Sequence, residues 1–594
     1  MRPRTRARRN IAGGRQSRRR PAEAVDLFTL EIIKNALVAI GDEMFVALQR
    51  TSMSTIIYEV LDFATGLTDA RGQLITQGNG VTLFLGTLSH AVSYTLEKFG
   101  ADLRHGDIIV TNDPYTGGGT HLSDVSLVMP IFYDGEIVAF AANKAHWTEV
   151  GGKDPGSWTT DATEVYQEGL QFPCVKLFDR GTPIESVVDL IRANVRLPDM
   201  TLGDMWAGVA ALRVGGRRFR DLCDKYGVAV VKRAIDKLLT DGDTLTRLEL
   251  RRLPAGVYEA EDFIDDDGIG HGPFPVRVRI TVTPEEFHVD FSGTHAQVPG
   301  PVNCTMTALV SGVRSLYLAI TNPGNPVNDG AFRSLRITCP PRTIFSAQRP
   351  APVSTYWETM LYVADLIWKA MAQVVPERLT AGHFLSVCGT IVAGLHPDTG
   401  DLFLLVEPQA GGWGGGQHKD GENGLVCIGD GETYVIPVEV TETRYGVLVD
   451  QYGFHTDPGG AGAFRGGKGL IRDYRITSDE AYLTTTFGRH KYLPWGLAGG
   501  HPGSRNYVKI VHADGREEVF GKTARYRLGK GEVARLVTGT GGGYGLPSAR
   551  PPRLVAEDVR HGYITIEQAE QDYGVRVDPK TFAVLEVTRE PVKA

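Results

Sequence analysis

Apolar side chains recur at steps of three and four residues between residues 26 and 50, a spacing that predicts one amphipathic helix. The positions of this apolar stripe are Leu30, Ile33, Leu37, Ile40, Met44 and Leu48. Similar periodicity predicts further helices at about 88–99, 202–250 (interrupted at 215–216 and at 227), 305–320, 356–374 and 566–573. Residues 153–200 lack such a pattern and are predicted to be mostly loop.

Alternating and β-branched runs predict strands near 256–264, 275–282 and 286–291. From about residue 385 onward, short strands and glycine-rich turns dominate. Segregated helices and strands favour an α+β, multi-domain protein with N-terminal helices, a central α/β part and a β-rich C-terminal part. The length of 594 residues agrees with several domains.

Two shifts in the pattern, near residues 255 and 385, predict the domain boundaries. The predicted units are a disordered basic tail (1–25), an N-terminal domain (26–255), a central α/β region (256–384) and a β-rich C-terminal region (385–594). The tail carries nine arginines and no acidic residue in its first twenty positions. It is interpreted as disordered or as an upstream extension of the true start, because it lacks the amphipathic face of a transit peptide. A nucleic-acid-binding arm has no other support in the sequence.

A β-hairpin is predicted around Asp134-Gly135, because Asp-Gly suits the positive φ angles of a two-residue turn. With this turn and regular pairing, Ser123 faces His146 across the hairpin. Strict alternation then places Asp124 and His146 on opposite faces of the sheet, although both lie at the same end of the hairpin. If both side chains bind one ion, the strand must bend or bulge.

The loop that precedes the hairpin, residues 112–120, contains three consecutive glycines, Gly117 to Gly119. Such a run costs conformational entropy on folding, so we expect it to serve tight turns or a close approach of the backbone to a ligand.

His121, Asp124 and His146 are the leading candidates for chemistry. Two imidazoles with a carboxylate suit Zn(II), Fe(II) or Mn(II), and an open position on such an ion can activate water or polarise a carbonyl. The alternative is a set of ordinary surface and capping residues, because His-x-x-Asp is less diagnostic than His-Glu-x-x-His. Glu149, three residues after His146, is predicted to orient a ligand or act as a general base, with a solvated loop carboxylate as the alternative.

Composition narrows the class of protein. A net charge of −7 argues against nucleic acid as the general partner. The six cysteines are dispersed with no Cys-x-x-Cys pair, which favours reduced thiols in a cytoplasmic protein over disulfides or a Cys-type zinc site. No uninterrupted apolar run approaches the roughly 18 residues of a membrane span, so no membrane segment is predicted.

Nucleotide and nucleophile motifs are missing from the sequence. Residues 462–469 nearly fit a phosphate-binding loop, but Gly469 occupies the Ser/Thr position and a strand rather than a helix is predicted to follow, so we interpret a β-turn. The glycine runs 411–416 and 541–543 are interpreted as turns packed in a β domain, with a substrate loop as the alternative. No Gly-x-Ser-x-Gly nucleophile elbow occurs.

Seven phrases occur in a fixed order along the chain, and their order is more specific than any one of them. They are DLFTLEIIKNAL (26–37), DFATGLTDARGQLITQ (62–77), NDPYTGGGTHLSDV (112–125), AHWTEVGG (145–152), ATEVYQEGL (162–170), DFSGTHAQVPGPVN (290–303) and GTGGGYGLPSARPP (539–552). On these phrases the chain resembles the hydantoinase B / 5-oxoprolinase family over about residues 26–575. That family includes subunits of ATP-dependent hydantoinases, caprolactamase, and the acetone and acetophenone carboxylases.

The resemblance implies a metal site and its ligands. In such proteins the ion is held by the acid of the Asp-Phe phrase, the His and Asp of the His-Leu-x-Asp phrase and the His of the Ala-His phrase. These positions are Asp62, His121, Asp124 and His146 here, which makes 26–255 the metal-site domain. The expected ion is zinc, with manganese or iron as alternatives, and the expected catalytic residues are Glu149 and His146.

The resemblance also implies a partner and a reaction. ATP would be bound by a hydantoinase A-type ATPase subunit with a sugar-kinase-like fold, in an (αβ)2 or larger hetero-oligomer. The expected function is ring opening of a small cyclic amide, of the hydantoin, lactam or oxoproline type, after its carbonyl oxygen is activated on that partner. The alternatives are a ketone carboxylase subunit of the acetone or acetophenone type and a non-catalytic scaffold subunit with a structural metal.

Some positions depart from the family's phrases. Many relatives have histidine where this chain has Gly80 and Phe84, and Ala-His-His-Ala-Asp becomes Ala-His with Trp147, Thr148 and Glu149. The four expected ligands are retained while their neighbours become larger or less polar. These changes predict a less polar or aromatic substrate.

Overall fold

The structure is a computed structural model that describes residues 25–588 except residues 79, 85 and 325. The predicted basic tail therefore lies outside the described residues apart from Val25. Mixed helices and sheets confirm the predicted α+β class. The domain boundaries near 255 and 385 stay a prediction, because one large cluster of buried apolar side chains continues across both positions.

The N-terminal part combines helices with an antiparallel sheet of order β2-β1-β5-β4-β3-β6-β7. Its helices are α1 Leu27–Thr51, α2 Thr55–Tyr58, α3 Thr87–Phe99, α4 Glu185–Asn194, α5 Pro198–Tyr226 and α6 Val228–Leu250. Its strands are β1 Phe63–Asp69, β2 Leu74–Gln77, β3 Ile108–Thr111, β4 Asp124–Tyr133, β5 Glu136–His146, β6 Val175–Asp179 and β7 Thr182–Pro183.

The first helix confirms the prediction from the apolar stripe. Asp26 caps α1, since its carboxylate accepts a hydrogen bond from the Thr29 backbone N–H at 3.0 Å. All six stripe positions are buried, and α1 packs mainly against α5. The expectation of a mostly loop segment at 153–200 is wrong in part, because this segment contains β6, β7 and α4.

The predicted interruption at Gly215-Gly216 is wrong, because α5 continues through both glycines. A Cβ at Gly215 would overlap the Met44 side chain of α1, and a Cβ at Gly216 would lie 2.6 Å from the Met129 methyl group. These glycines therefore permit close packing rather than ending the helix. The predicted break at Gly227 is confirmed, since Gly227 has a φ of 81° between α5 and α6.

The hairpin is confirmed, but its predicted register is wrong by one residue. Asp134 and Gly135 form the turn with φ angles of 50° and 83°. The register shifts between Ile131 and Phe132, and beyond this bulge Asp124 pairs directly with His146. Directly paired residues point to the same face of a sheet, so the bulge resolves the conflict that regular pairing predicted.

The central part contains a four-stranded sheet of order β11-β10-β9-β8, in which β10 and β11 are parallel. Its strands are β8 Gly256–Ile264, β9 Phe274–Val282, β10 Phe287–Asp290 and β11 Leu335–Thr338. Its helices are α7 Met306–Thr321 and α8 Trp357–Met371, which pack against each other. The predicted strands and helices of this part are confirmed.

The C-terminal part is rich in strands, with sheets of order β13-β12-β16-β19, β14-β15-β20-β17-β18 and β21-β22. The strands of the two larger sheets are β12 Gly389–Leu395, β13 Leu402–Glu407, β14 Val447–Phe454, β15 Leu470–Ile476, β16 Glu480–Thr486, β17 Tyr507–Val511, β18 Glu517–Phe520, β19 Lys522–Gly529 and β20 Val533–Val537. The remaining elements are α9 Val438–Arg444, α10 Pro552–Arg560, α11 Ile566–Tyr573, β21 Val575–Val577 and β22 Val584–Val587.

The glycine runs of the C-terminal part pack backbone against backbone. Gly412 donates its N–H to the Gly539 carbonyl at 2.9 Å, and Gly415 donates to the Gly542 carbonyl at 2.8 Å. Side chains at these positions would collide with neighbouring backbone atoms. The near-match to a phosphate loop leads into strand β15, as predicted, and the buried Lys468 ammonium donates to two carbonyl oxygens. Among the described helices none is long and apolar enough to cross a membrane.

Candidate metal centre

One end of the hairpin brings together His121, Asp124 and His146. His121 lies on the loop before β4, Asp124 is the first residue of β4 and His146 is the last residue of β5. One donor atom from each side chain lies within 4.8 Å of the others, and all three residues are buried. The bulge at Ile131–Phe132 is what aligns the two strand residues.

Hydrogen bonds fix the carboxylate of the cluster. Asp124 Oδ1 lies 3.1 Å from His121 Nε2, while Asp124 Oδ2 accepts hydrogen bonds from Tyr356 Oη at 3.0 Å and from the Thr120 hydroxyl. The charge and hydrogen bond of His121 hold the pKa of Asp124 below its usual range, although burial opposes this. Asp124 is therefore an oriented carboxylate anion.

The surroundings of His146 keep its imidazole uncharged. Burial, together with the charge of His121, lowers the pKa of His146 to about 3. Trp158 Nε1 donates to His146 Nε2 at 2.7 Å, whereas Nδ1 of His146 has no hydrogen-bond partner in the described part of the chain. Nδ1 of His121 is likewise buried and unpartnered.

The donor set fits a divalent cation. Buried polar atoms are almost always paired, so two unpartnered imidazole nitrogens beside an oriented carboxylate indicate a missing partner. Neutral imidazole and carboxylate are the ligand types that zinc, iron and manganese accept. Because one nitrogen cannot give its lone pair to two partners, an ion using His146 Nε2 would displace the Trp158 hydrogen bond.

Asp62 lies on the wall of the same cavity but outside the compact group of three. Its backbone carbonyl accepts the His146 N–H at 3.0 Å, which places it next to the end of β5. Burial, and then the charges of Asp124 and Asp430, raise the pKa of Asp62 well above its usual range. Its role as a fourth ligand stays a prediction.

The cluster faces a narrow cavity in which a water-sized sphere has about 30 Å³ of free room. Most of its lining is apolar or aromatic, and the lining residues are Ile56, Val60, Asp62, Val81, Phe84, His121, Asp124, His146, Trp158, Tyr356, Trp357, Val387, Pro408, Asp430 and Thr433. Among the positions that depart from the family's phrases, Phe84 lines this cavity. Gly80 borders an outer cleft instead, and Trp147 packs against Phe172 away from the cavity.

Two polar residues of the cavity were not predicted from the sequence. Asp430 and Thr433 belong to a Gly-Asp-Gly-Glu-Thr stretch, 429–433, that has the composition of an ordinary turn. Only the fold brings this stretch to the cavity, where Thr82 ties it down by donating to the carbonyls of Ile428 and Gly429 at 2.9 and 2.8 Å.

Glu149 is fully buried and does not line the cavity. Its carboxylate accepts hydrogen bonds from the Gly151 and Gly156 backbone N–H groups at 2.7 and 3.0 Å, from Ser157 Oγ at 3.0 Å and from Arg196 at 2.9 Å. These contacts favour the predicted orienting role over a general base, because they fix the loop that leads to Trp158. Its part in catalysis stays a prediction.

The glycine run before the cluster allows the backbone to approach the buried ammonium group of Lys144. Lys144 donates to the Gly118 carbonyl at 2.9 Å and lies 3.4 Å from the Thr120 hydroxyl, which in turn contacts Asp124. Gly118 has a φ of 74°, and a Cβ at Gly119 would overlap the Asn112 carbonyl. The ammonium is therefore placed near Asp124 and offsets its negative charge, although burial lowers the pKa of Lys144 to about 8.

A family model described as hydantoinase B/oxoprolinase matches residues 26–547. The chain belongs to this family. It is 32% identical to the B-type subunit of a putative D-/L-hydantoinase from a Pseudomonas species, covering 95% of this chain and 98% of that protein. It is also 32% identical to the beta subunit of caprolactamase from Pseudomonas jessenii, covering 93% and 97%. The predicted family is confirmed.

Solved structures agree with this family membership. The ATP-dependent caprolactamase from Pseudomonas jessenii superposes with a TM-score of 0.89 at 31% identity, covering 95% of this chain and 98% of that one. A nucleotide-free acetone carboxylase structure also reaches a TM-score of 0.89, covering 94% and 81%, but at 18% identity it shows only that the fold is shared.

Proposed function

We propose that this hydantoinase B/oxoprolinase family member is the metal-containing subunit of an ATP-dependent enzyme that opens a small cyclic amide. The observation that carries the proposal is the buried His121–Asp124–His146 cluster, whose donor atoms lie within 4.8 Å of one another at a mostly apolar cavity. Near-full-length relatives named as hydantoinase and caprolactamase subunits support the substrate class.

His121, Asp124 and His146 would hold the ion, with Asp62 as the fourth ligand, and zinc is the proposed metal with manganese or iron as alternatives. A bound divalent ion supplies Lewis-acid chemistry, which polarises a carbonyl and makes water more acidic. The protein's own part is to keep His146 neutral, to orient Asp124 through Tyr356 and to surround the ion with a mostly apolar lining.

The same proposal assigns ATP to a second subunit. The phosphate-loop-like stretch of this chain is structural, and relatives are named as subunits, which supports a hydantoinase A-type ATPase partner in an (αβ)2 or larger hetero-oligomer. The partner would activate the substrate carbonyl by phosphorylation. Six free cysteines support a reducing compartment, and we propose the cytoplasm.

The substrate is proposed to carry an apolar group. Phe84, Trp158 and Trp357 line the cavity, together with aliphatic side chains, so a purely polar ring would leave this surface without a complementary partner. An alkyl- or aryl-substituted hydantoin or lactam fits such a lining better than unsubstituted hydantoin or 5-oxoproline.

The proposal is tested by co-expressing the chain with its cognate ATPase subunit and supplying ATP, cyclic amides and labelled bicarbonate. We expect ring-opened, unlabelled product from a substituted cyclic amide, and none from the complex carrying His121→Ala. Label retained in a stable acid product would favour the carboxylase alternative. Full activity in a His121→Ala complex that has lost its metal would favour the scaffold alternative.

A further inference from the structure

A second polar group shares the cavity with the three candidate ligands. Asp430 and Thr433 both line it, at 6% and 7% exposure. Asp430 Oδ2 and Thr433 Oγ1 are buried and have no hydrogen-bond partner among the described residues. Two unsatisfied polar atoms at one cavity call for a common explanation, because a buried polar atom left unpaired is destabilising.

The position of Asp430 is fixed by its own backbone. Its N–H donates to the Cys427 carbonyl at 3.0 Å, and its carbonyl accepts the Thr433 N–H at 3.2 Å. The side chain therefore leaves a short, tied turn, where it hydrogen-bonds the Cys427 thiol. Burial raises the pKa of Asp430 to about 7.

Another buried aspartate shows what a structural carboxyl does in this protein. Asp204 is 1% exposed and its Oδ2 is also unpartnered, but its Oδ1 accepts the backbone N–H groups of Met53 and Ser54 at 2.7 and 3.1 Å. Asp204 thus holds two segments together, and it does not line the cavity. Asp430 has no comparable bonds to backbone N–H groups in the described chain; its side chain contacts the Cys427 thiol, and the residue lines the cavity.

We propose that Asp430 is a substrate-binding residue that hydrogen-bonds the ring nitrogen of the cyclic amide, with the Thr433 hydroxyl as a second contact. This inference rests on the proposed function and deepens it. A cyclic amide has two polar atoms, the carbonyl oxygen and the ring nitrogen, separated by one carbon. The cavity likewise offers two polar sets within a mostly apolar lining, the candidate ligands His121, Asp124, His146 and Asp62 and the Asp430–Thr433 pair.

This arrangement gives the site a way to select its substrate. Before phosphorylation, the carbonyl end of the ring would face the candidate metal ligands, while its N–H end would satisfy the buried oxygen of Asp430. A site with buried polar groups rejects an analogue that cannot pair with them, so an N-methylated ring should bind poorly. The remaining apolar lining is then free for the ring substituent.

The test measures binding rather than turnover, on the purified complex with its ATPase subunit and without ATP. Calorimetry compares 5-benzylhydantoin with its 1,3-dimethyl analogue, in wild type and in Asp430→Ala, Asp430→Asn and Asp204→Asn. We expect wild type to prefer the N–H probe by at least about tenfold, and Asp430→Ala to lose this preference. Asp204→Asn, the matched control, should keep it. Asp430→Asn should keep part of it, because an amide oxygen still accepts a hydrogen bond.

Metal content and thermal melting of each variant show whether the fold and the metal cluster are intact. Preference for the N–H probe that persists unchanged in Asp430→Ala overturns the inference and leaves the proposed function standing. Equal binding of both probes by wild type overturns it as well, whatever the variants do. Binding of neither probe, with no ring opening in the ATP assay, overturns the proposed function and the inference together.

Discussion

Two buried clusters of charged side chains, one in the C-terminal part and one at the cavity, satisfy their polar atoms in opposite ways. In the first, Arg550 donates to both oxygens of Asp420 at 2.7 and 2.9 Å, and Asp558 accepts from Arg465 at 3.1 Å and from Arg550 at 2.8 Å. Every carboxylate oxygen of this cluster therefore has a guanidinium partner.

The cavity cluster instead leaves imidazole nitrogens without partners and carries no guanidinium among the residues that line the cavity. The contrast distinguishes a cluster that stabilises the fold from a cluster that can bind a ligand. A buried ion-pair network that is internally satisfied holds segments of chain together, whereas a buried group with unpartnered polar atoms beside a cavity is available to bind a ligand.

The largest expected effect is a loss of catalytic rate when the cavity cluster is changed. His121→Ala removes a candidate metal ligand and should lower ring-opening kcat by about 10³- to 10⁴-fold, roughly 4 to 5 kcal/mol at the transition state. Steady-state kinetics of the complex measure this loss. Activity within a factor of about three of wild type would remove the cluster from the chemistry.

The second largest expected effect is a loss of stability when the ion-pair cluster is broken. Asp558→Ala removes a shared carboxylate from between Arg465 and Arg550, and breaking such a buried network costs about 3–4 kcal/mol in the free energy of unfolding. Urea unfolding measures the change, and metal content should stay at the wild-type level. Asp514→Ala, which removes an exposed ion pair with Arg516, is the control and should change little. Loss of metal from the Asp558→Ala protein would show that the two clusters are not independent.

Glu168, a buried carboxyl group with no cation beside it among the described residues, should make the free energy of unfolding depend on pH. Burial raises the pKa of Glu168 to about 8, although the Ser354 and Val353 backbone N–H groups oppose this. Because the folded pKa lies above the unfolded one, the proton is lost from the unfolded chain first. The Glu168 contribution is therefore fully present below about pH 4.5 and is lost as pH rises towards 8, by up to about 1.4 kcal/mol per pH unit.

Glu168→Gln isolates this contribution. Urea unfolding at pH 5 and pH 8 should show that wild type loses stability relative to Glu168→Gln as pH rises. Parallel curves for the two proteins would mean that the folded-state pKa of Glu168 is not raised.

The smallest expected effect concerns substrate preference. Phe84→His introduces an imidazole into the cavity lining and should shift the kcat/KM ratio of benzyl-substituted over unsubstituted hydantoin by about tenfold towards the unsubstituted ring. Phe84→Leu, which keeps the wall apolar, should shift it less. A wild-type complex that strongly prefers unsubstituted hydantoin or 5-oxoproline would contradict the proposed apolar substrate.

Much of the fold was predictable because it depends on local patterns. The α1 stripe, the Gly227 break and the Asp134-Gly135 turn each follow from short-range periodicity or turn chemistry, and the structure confirms them. The continuous course of α5 through Gly215-Gly216 was not predictable, because the methionines that these glycines accommodate lie far away in sequence.

The candidate site was predicted in part for the same reason. His121, Asp124 and His146 lie on one hairpin, so local pairing brought them together, but the bulge that gives Asp124 and His146 a common face has no signature in the sequence. Asp430 was missed because it reaches the cavity from a turn more than 280 residues further along the chain. Its short motif resembles any glycine-rich turn.

Metal stoichiometry is the most direct test of whether the hairpin cluster holds a catalytic divalent ion. Elemental analysis of the purified, active complex should give about one divalent ion per copy of this chain. The ion should be absent from His121→Ala and retained in Asp558→Ala and Asp430→Asn. A fully active wild-type complex without a divalent ion in this chain, or a His121→Ala protein with undiminished metal, would show that the hairpin cluster is not the catalytic metal site.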